Sequence, residues 1–111
     1  MKVAVIGSRN LTVSDIDKYI PVECKEIVSG GARGIDKCAE EYAKKKGLLL
    51  TVFLPDYNKF GRGAPIVRNK QIVDYADKVI AFWDGSSRGT KSVIDYCQRI
   101  GKECRVILLA L

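Results

Sequence analysis

The sequence contains no histidine. This absence excludes Ser-His-Asp and Cys-His catalysis and most zinc chemistry, because histidine is the base or a ligand in those sites. No apolar run approaches the roughly 20 residues that a membrane helix needs. The apolar start MKVAVIG is too short for a signal peptide. We therefore expect a cytoplasmic protein with no membrane partner.

Paired cysteines and the common nucleotide-binding motifs are also lacking. Four dispersed cysteines form no CxxC pair, and two of them fall on apolar faces of predicted helices, which favours reduced core thiols over a disulfide or a metal set. The GxGxxG fingerprint and the GxxxxGK[ST] P-loop are absent. The sequence thus indicates neither NAD binding through the first motif nor an ATPase of the second class.

The composition is that of a soluble globular chain. Of its 111 residues, 47% are hydrophobic and 29% are charged, which fits one domain over residues 1–111. The net charge of +6 favours anionic partners. Lysines are spread along the chain and are interpreted as solvated surface. Most arginines instead lie in or beside predicted loops: Arg9, Arg33, Arg62, Arg68 and Arg88.

Short apolar segments alternate with helical patterns, which predicts an α/β protein: a Rossmann-like three-layer sandwich with a parallel sheet of about five strands. The predicted strands cover residues 2–7, 26–29, 48–54, 78–83 and 105–109. The predicted helices are a short one opened by 12–15, then 34–46, about 65–76, and 89–100. The polar stretch 55–63 is interpreted as a loop of the lid or binding type.

Three glycine-bearing loops follow predicted strands, each at the start of a helix. Glycine lets backbone amides approach an anion, a helix start adds partial positive charge, and arginine forks onto phosphate oxygens. In parallel sheets such loops project from one edge, so we expect a single nucleotide or phosphate site there. The loops are Gly7-Ser8-Arg9, then Ser29-Gly30-Gly31-Ala32-Arg33-Gly34, and Gly85-Ser86-Ser87-Arg88-Gly89-Thr90.

Individual residues of these loops carry specific expectations. Ser29 can donate to a phosphate, and Asp36 lies early in a helix, either as a ligand group or as a partner of Arg33 or of the helix dipole. Phe82 and Trp83 end a strand, so that one faces the core; the other either belongs to the strand core as well, which is the favoured interpretation, or lies against a base at the sheet edge. Arg9, Arg33, Arg68 and Arg88 are expected to point into one cleft.

The strings SGGARGID, Arg68-Asn69 before an Ala-Asp pair, and IAFWDGSSRGT make the chain resemble the SLOG superfamily of Rossmann-like proteins. The branch that it is most similar to is the YspA and cpYpsA-related family, and the match covers nearly the whole chain. The resemblance implies a nucleotide-derived ligand, with Arg68, Asn69 and Asp84 added to the loop residues as its contacts. It leaves the cofactor, the ligand's identity and assembly into a homo-oligomer open.

Two relatives implied by the resemblance provide alternatives. DprA, which binds single-stranded nucleic acid, carries a similar SGGARGID stretch. LOG enzymes cleave nucleoside monophosphates and carry PGGxGTxxE; here Val93 stands where their glutamate lies, and Ser86-Ser87-Arg88 replaces their glycine-rich turn. Cleavage of an N-glycosidic bond needs a carboxylate, by analogy with glycoside hydrolysis, so LOG-type hydrolysis is disfavoured unless Asp36, Asp84 or Asp95 replaces that glutamate.

Overall fold

The computed structural model describes residues 1–109 and contains one sheet of five parallel strands in the order β3-β2-β1-β4-β5. Helices pack on both faces of this sheet, which confirms the predicted Rossmann-like α/β fold. The strands are β1 (Lys2–Gly7), β2 (Glu26–Ser29), β3 (Leu49–Val52), β4 (Lys78–Trp83) and β5 (Cys104–Leu108).

Within the described residues, four α-helices connect or follow these strands: α1 (Ile35–Lys46), α2 (Tyr57–Phe60), α3 (Ala64–Tyr75) and α4 (Arg88–Ile100). The helices α1 and α4 end at Gly47 and Gly101, which adopt left-handed φ angles of 68° and 73°. Pro65 lies in the first turn of α3, where its missing N–H would have no intrahelical partner.

The alternation of side chains along the strands produces two hydrophobic cores. Val3 and Val5 of β1 point to one face and pack with α1, whereas Ala4 and Ile6 point to the other face and pack with α3 and α4. Phe82 is fully buried on the α1 side, where its ring meets Tyr19 edge-on at 5.2 Å. Both faces of the sheet are therefore covered, as a parallel sheet requires.

Several predicted elements differ from the observed ones. The short helix expected after Thr12–Asp15 is one 3-10 turn, Ile16–Lys18. The Asp15 side chain pairs with Lys18 and makes no capping bond to a backbone amide, so this turn lacks the usual stabilisation of a helix start. The predicted strand 48–54 shortens to β3. The predicted loop 55–63 contains α2, whose first turn is capped by the Asp56 carboxylate accepting from the Lys59 amide at 3.1 Å, and a further 3-10 turn.

The strand order defines where a ligand can bind. The chain runs from β1 outward to β3 and then returns to place β4 on the other side of β1. The topological switch point therefore lies between β1 and β4, at the carboxyl edge where α/β proteins bind ligands. Gly7, Gly30 and Gly85 all lie at this edge, which confirms the predicted convergence of the three loops.

Within residues 1–109, no helix combines the length and the apolar composition that crossing a membrane requires.

Candidate functional site

A cavity of about 440 Å³ lies at the switch point, and we call it the switch-point cavity. Loops after β1, β2 and β4 contribute to its walls together with the first turns of α3 and α4. Its lining includes most of the predicted site residues: Gly7, Ser8, Arg9, Gly30, Ala32, Arg33, Asp36, Arg68, Asn69, Asp84, Ser87, Gly89 and Thr90.

Ser8 is the wall residue contributed by the end of β1. Its backbone N–H donates to the carbonyl of Phe82 at 3.1 Å, which fixes the loop against β4. The residue is 2% exposed, and its hydroxyl oxygen has no hydrogen-bond partner; among residues 1–109 it is the single buried side-chain oxygen or nitrogen in this condition. An unpaired buried hydroxyl is unfavourable by about 1–3 kcal/mol, so this position calls for a physical explanation.

The first turn of α4, which follows β4 in the chain, forms another wall of the cavity. Ser87 occupies the N-cap position, but its hydroxyl lies 3.3 Å from the Thr90 hydroxyl and makes no capping bond to a backbone amide. The N–H groups that begin a helix have no intrahelical acceptor, and they carry the positive end of the helix dipole. Gly89 and Thr90 therefore bring uncapped amides and partial positive charge to the cavity.

The loop before α4 is held rigidly by its own side chains. The Asp84 carboxylate accepts hydrogen bonds from the amides of Ser86 at 2.9 Å and Ser87 at 2.7 Å, and these bonds lower its pKa. The indole N–H of Trp83 donates to the Ser87 carbonyl at 3.0 Å. Three hydrogen bonds thus hold the start of α4 against its own loop, an arrangement that is favourable for binding an anion.

Gly30 separates an arginine from a carboxylate at the floor of the cavity. A Cβ atom on Gly30 would lie 3.0 Å from both Arg68 Nη1 and Asp36 Oδ2, so these two groups face each other across the glycine. Arg68 donates from Nη1 to the Gly30 carbonyl and from Nε to Asn69 Oδ1 at 2.8 Å. Asp36 Oδ2 accepts from the Ala32 amide at 3.1 Å. Within residues 1–109 Asp36 forms no salt bridge, so the considered pairing with Arg33 is not present; the cation whose charge acts on Asp36 is Arg68.

Burial changes the titration of both groups. Removal from water raises the pKa of Asp36 to about 6, although the Ala32 amide and the Arg68 charge act in the opposite direction. Burial likewise lowers the pKa of Arg68, and Asp36 opposes that shift. Asp36 is 5% exposed and Arg68 is 7% exposed. A buried, strongly shifted carboxyl group in a cavity is a common property of functional sites.

Within the loop that follows β2, Ser29, Gly31 and Gly34 lie outside the switch-point cavity. Ser29 is fully buried; its hydroxyl donates to the Glu40 carboxylate at 2.9 Å and accepts from the Gly31 amide at 3.2 Å. The expectation that Ser29 donates to a phosphate is therefore not supported, because its proton is already used to order the loop. Gly31 lines an adjoining cavity of about 460 Å³ beside Leu54.

A further cavity of about 510 Å³ lies between α3 and α4, and we call it the α3–α4 groove. Gly85, Ser86 and Arg88 line this groove and not the switch-point cavity, whereas Asn69 and Val93 line both. The expected single cleft for four arginines thus needs correction: Arg9, Arg33 and Arg68 line one cavity, and Arg88 lines its neighbour. Successive residues at a helix start point in different directions, and this separates Arg88 from Gly89.

Sequence reasoning did not identify several of the lining residues. Lys70 and Lys91, interpreted as solvated surface, are exposed but lie at the α3–α4 groove. A spacing of four residues places Lys91, Asp95 and Arg99 on one face of α4. This periodicity could have indicated that Lys91 and Arg99 line the same surface. Nothing in the local sequence marks the cavity residues Asn10, Pro65 and Ile72, whereas Val93 was singled out only as the replacement for the LOG glutamate.

All four cysteines are free thiols. In the described part of the chain, no group of three or more cysteine, aspartate or glutamate side chains is arranged to hold a metal ion. When the chain was compared with protein-family models, with curated proteins and with solved structures, nothing matched it.

Proposed function

We propose that the switch-point cavity binds a nucleotide or a nucleotide-derived ligand, with a phosphate group between Ser8 and the first turn of α4. The observation that carries this proposal is the buried Ser8 hydroxyl, which lacks a partner and lines the same cavity as an uncapped helix start. A phosphate oxygen would accept the Ser8 proton and the amide protons of Gly89 and Thr90 together.

The charges around the cavity support an anionic ligand. Arg9 and Arg33 are exposed residues on its wall, so their guanidinium groups can reach a phosphate without losing a partner inside the protein. Arg68 instead donates hydrogen bonds to Gly30 and Asn69 and thereby stabilises the floor of the cavity. Because Asn69 Oδ1 accepts from Arg68, the Asn69 amino group is the one that remains for a ligand.

A sugar attached to the phosphate accounts for the other end of the cavity. A volume of about 440 Å³ exceeds what a phosphate alone occupies and falls in the usual range of small-molecule sites. A carboxylate such as Asp36 repels phosphate, but it is a suitable acceptor for a ribose hydroxyl, as acidic residues are in dinucleotide-binding folds. The resemblance to the SLOG superfamily agrees with a nucleotide ligand, and membership of that superfamily stays a prediction.

Calorimetry with AMP and adenosine tests the proposal. AMP should bind and adenosine should bind at least tenfold more weakly, because the phosphate contacts are charge-assisted hydrogen bonds of about 1.5–3 kcal/mol each. Ser8→Ala and Arg33→Ala should each weaken AMP binding roughly 10- to 100-fold for the same reason. Lys44→Ala, which removes an exposed cation from the far end of α1, is the matched control and should bind AMP normally. Equal binding of AMP and adenosine would contradict the proposal.

One observation favours a second candidate function, cleavage of the N-glycosidic bond of a bound nucleotide. Val93 lines the cavity where LOG enzymes carry their glutamate, but the carboxyl groups of Asp36 and Asp84 line it too. Asp36, with its pKa near 6, could serve as a general acid, whereas the Asp84 oxygen is occupied by loop amides. Incubation with AMP and chromatography for free adenine tests this activity, which Asp36→Asn should abolish; intact AMP after prolonged incubation would refute it.

A further inference from the structure

The α3–α4 groove adjoins the switch-point cavity but has a different chemical character. The two share Asn69 and Val93, and they are otherwise separated by the turn that leads into α4. With volumes of about 510 and 440 Å³, each is large enough for one nucleotide-sized unit. A ligand that extends past Asn69 would therefore occupy both.

Cations dominate the charge of this groove. Lys70, Arg88, Lys91 and Arg99 are exposed residues on its walls. Lys91 forms a salt bridge with Asp95 at 3.0 Å, and within residues 1–109 the other three cations form no salt bridge. The groove thus carries excess positive charge directly beside the proposed phosphate position, and it suits a second anionic group.

Aromatic side chains line the groove between these cations. Trp83 is half-buried, and its bond to the Ser87 carbonyl fixes the indole ring in the wall. The ring of Tyr96 lies under Arg99 at 5.3 Å from its centroid, and the Tyr96 hydroxyl donates to Asp74 at 2.7 Å. Exposed Ile66 adds further apolar surface. Fixed aromatic rings beside cations are the usual means of holding a base together with its phosphate.

We infer that the α3–α4 groove is a second subsite of the same ligand, which takes a second nucleotide unit with its base at Trp83 and its phosphate at Arg88 and Arg99. The ligand class is then a linear dinucleotide with two phosphates, one for each cavity. This inference rests on the proposed function, because the first phosphate is assigned to the switch-point cavity. Arg88 and Gly89, adjacent residues that line different cavities, provide the link between the two subsites.

Fluorescence tests the inference, because Trp83 is the single tryptophan of the chain. The probes are AMP and the adenine dinucleotide with a 5′-phosphate, pApA. We expect pApA to bind at least tenfold more tightly than AMP and to quench the tryptophan emission more strongly. Arg99→Ala, at an exposed position, should remove about tenfold of the pApA affinity and leave AMP binding unchanged. Lys44→Ala is again the control and should alter neither.

The outcomes separate this inference from the proposed function. Equal affinity for pApA and AMP, or an Arg99→Ala variant with normal pApA binding, would overturn the second subsite and leave the first in place. Failure of both ligands to bind would overturn both proposals. Affinity for oligoadenylates that keeps rising beyond two units and falls by orders of magnitude between about 50 and 200 mM salt would instead identify a strand-binding surface, and would also overturn the inference.

Discussion

Replacing Asp36 with asparagine should stabilise the folded protein at neutral pH, although Asp36 is a buried residue with a hydrogen-bond partner. Asparagine has nearly the same shape, and its side-chain oxygen can still accept from the Ala32 amide. What the change removes is a negative charge that is 5% exposed in the fold. The expected gain therefore measures how unfavourable that buried charge is.

The size and the pH dependence of the gain follow from the pKa. Folding raises the pKa of Asp36 from 3.8 to about 6. Between these values the unfolded chain has lost the proton and the native protein retains it, so rising pH destabilises the native state. The shift corresponds to about 3 kcal/mol, absent below pH 4 and fully developed above pH 6. Asp36→Asn should thus recover up to about 3 kcal/mol at pH 7.5 and almost nothing at pH 4.

Urea unfolding of both proteins at pH 4, 5, 6 and 7.5, followed by far-ultraviolet circular dichroism, measures this difference. Asp17→Asn controls for the loss of one carboxylate at an exposed position. Calorimetric titration with AMP should show weaker binding to Asp36→Asn than to the unsubstituted protein, although the variant is the more stable of the two. The reason is that a ribose hydroxyl loses its anionic acceptor. A difference in unfolding free energy between the two proteins that does not change with pH would refute the reasoning, and so would a variant that is less stable than the unsubstituted protein at pH 7.5.

Two further substitutions distinguish the effect of steric crowding at the site from the effect of backbone strain far from it. Gly30→Ala should destabilise the fold by about 1–3 kcal/mol and weaken AMP binding, because its methyl group would lie 3.0 Å from Arg68 and Asp36; unchanged urea midpoint and affinity would contradict this. Gly101→Ala has open space around the new methyl group but a φ of 73°, so it should lower the unfolding free energy by about 1 kcal/mol with normal AMP binding; a loss of affinity there would show that the site is coupled to the end of α4.

The fold could be predicted from the sequence because local patterns and tertiary structure agree. Apolar strands such as Val3–Ile6 lie within a sheet buried on both faces, and the helix-ending residues Gly47 and Gly101 have left-handed conformations. The prediction was wrong where an aspartate side chain could bond either to a backbone amide or to a neighbouring side chain. Asp15 pairs with Lys18 and does not cap the 3-10 turn that follows it, while Asp56 caps a helix in a stretch whose composition indicates a loop.

The site was predictable in its location but not in its details. Parallel topology brings the ends of β1, β2 and β4 to one edge whatever the side chains do, so the convergence of the loops follows from the alternating pattern. Which loop residue faces the ligand depends on contacts between distant elements. Ser29 bonds to Glu40 from α1, and Arg68 reaches Gly30 from α3, and neither contact has a local signal.

The central claim, that a phosphate binds between Ser8 and the start of α4, is tested most directly by amide nuclear magnetic resonance of the ¹⁵N-labelled protein. Titration with AMP should shift the amide resonances of Gly89 and Thr90 more than those of any other helix start, because these N–H groups would donate to the phosphate. Adenosine at the same concentration should leave them unchanged. If Gly89 and Thr90 do not shift at saturating AMP, or if adenosine shifts them equally, the phosphate does not bind there and the account is wrong.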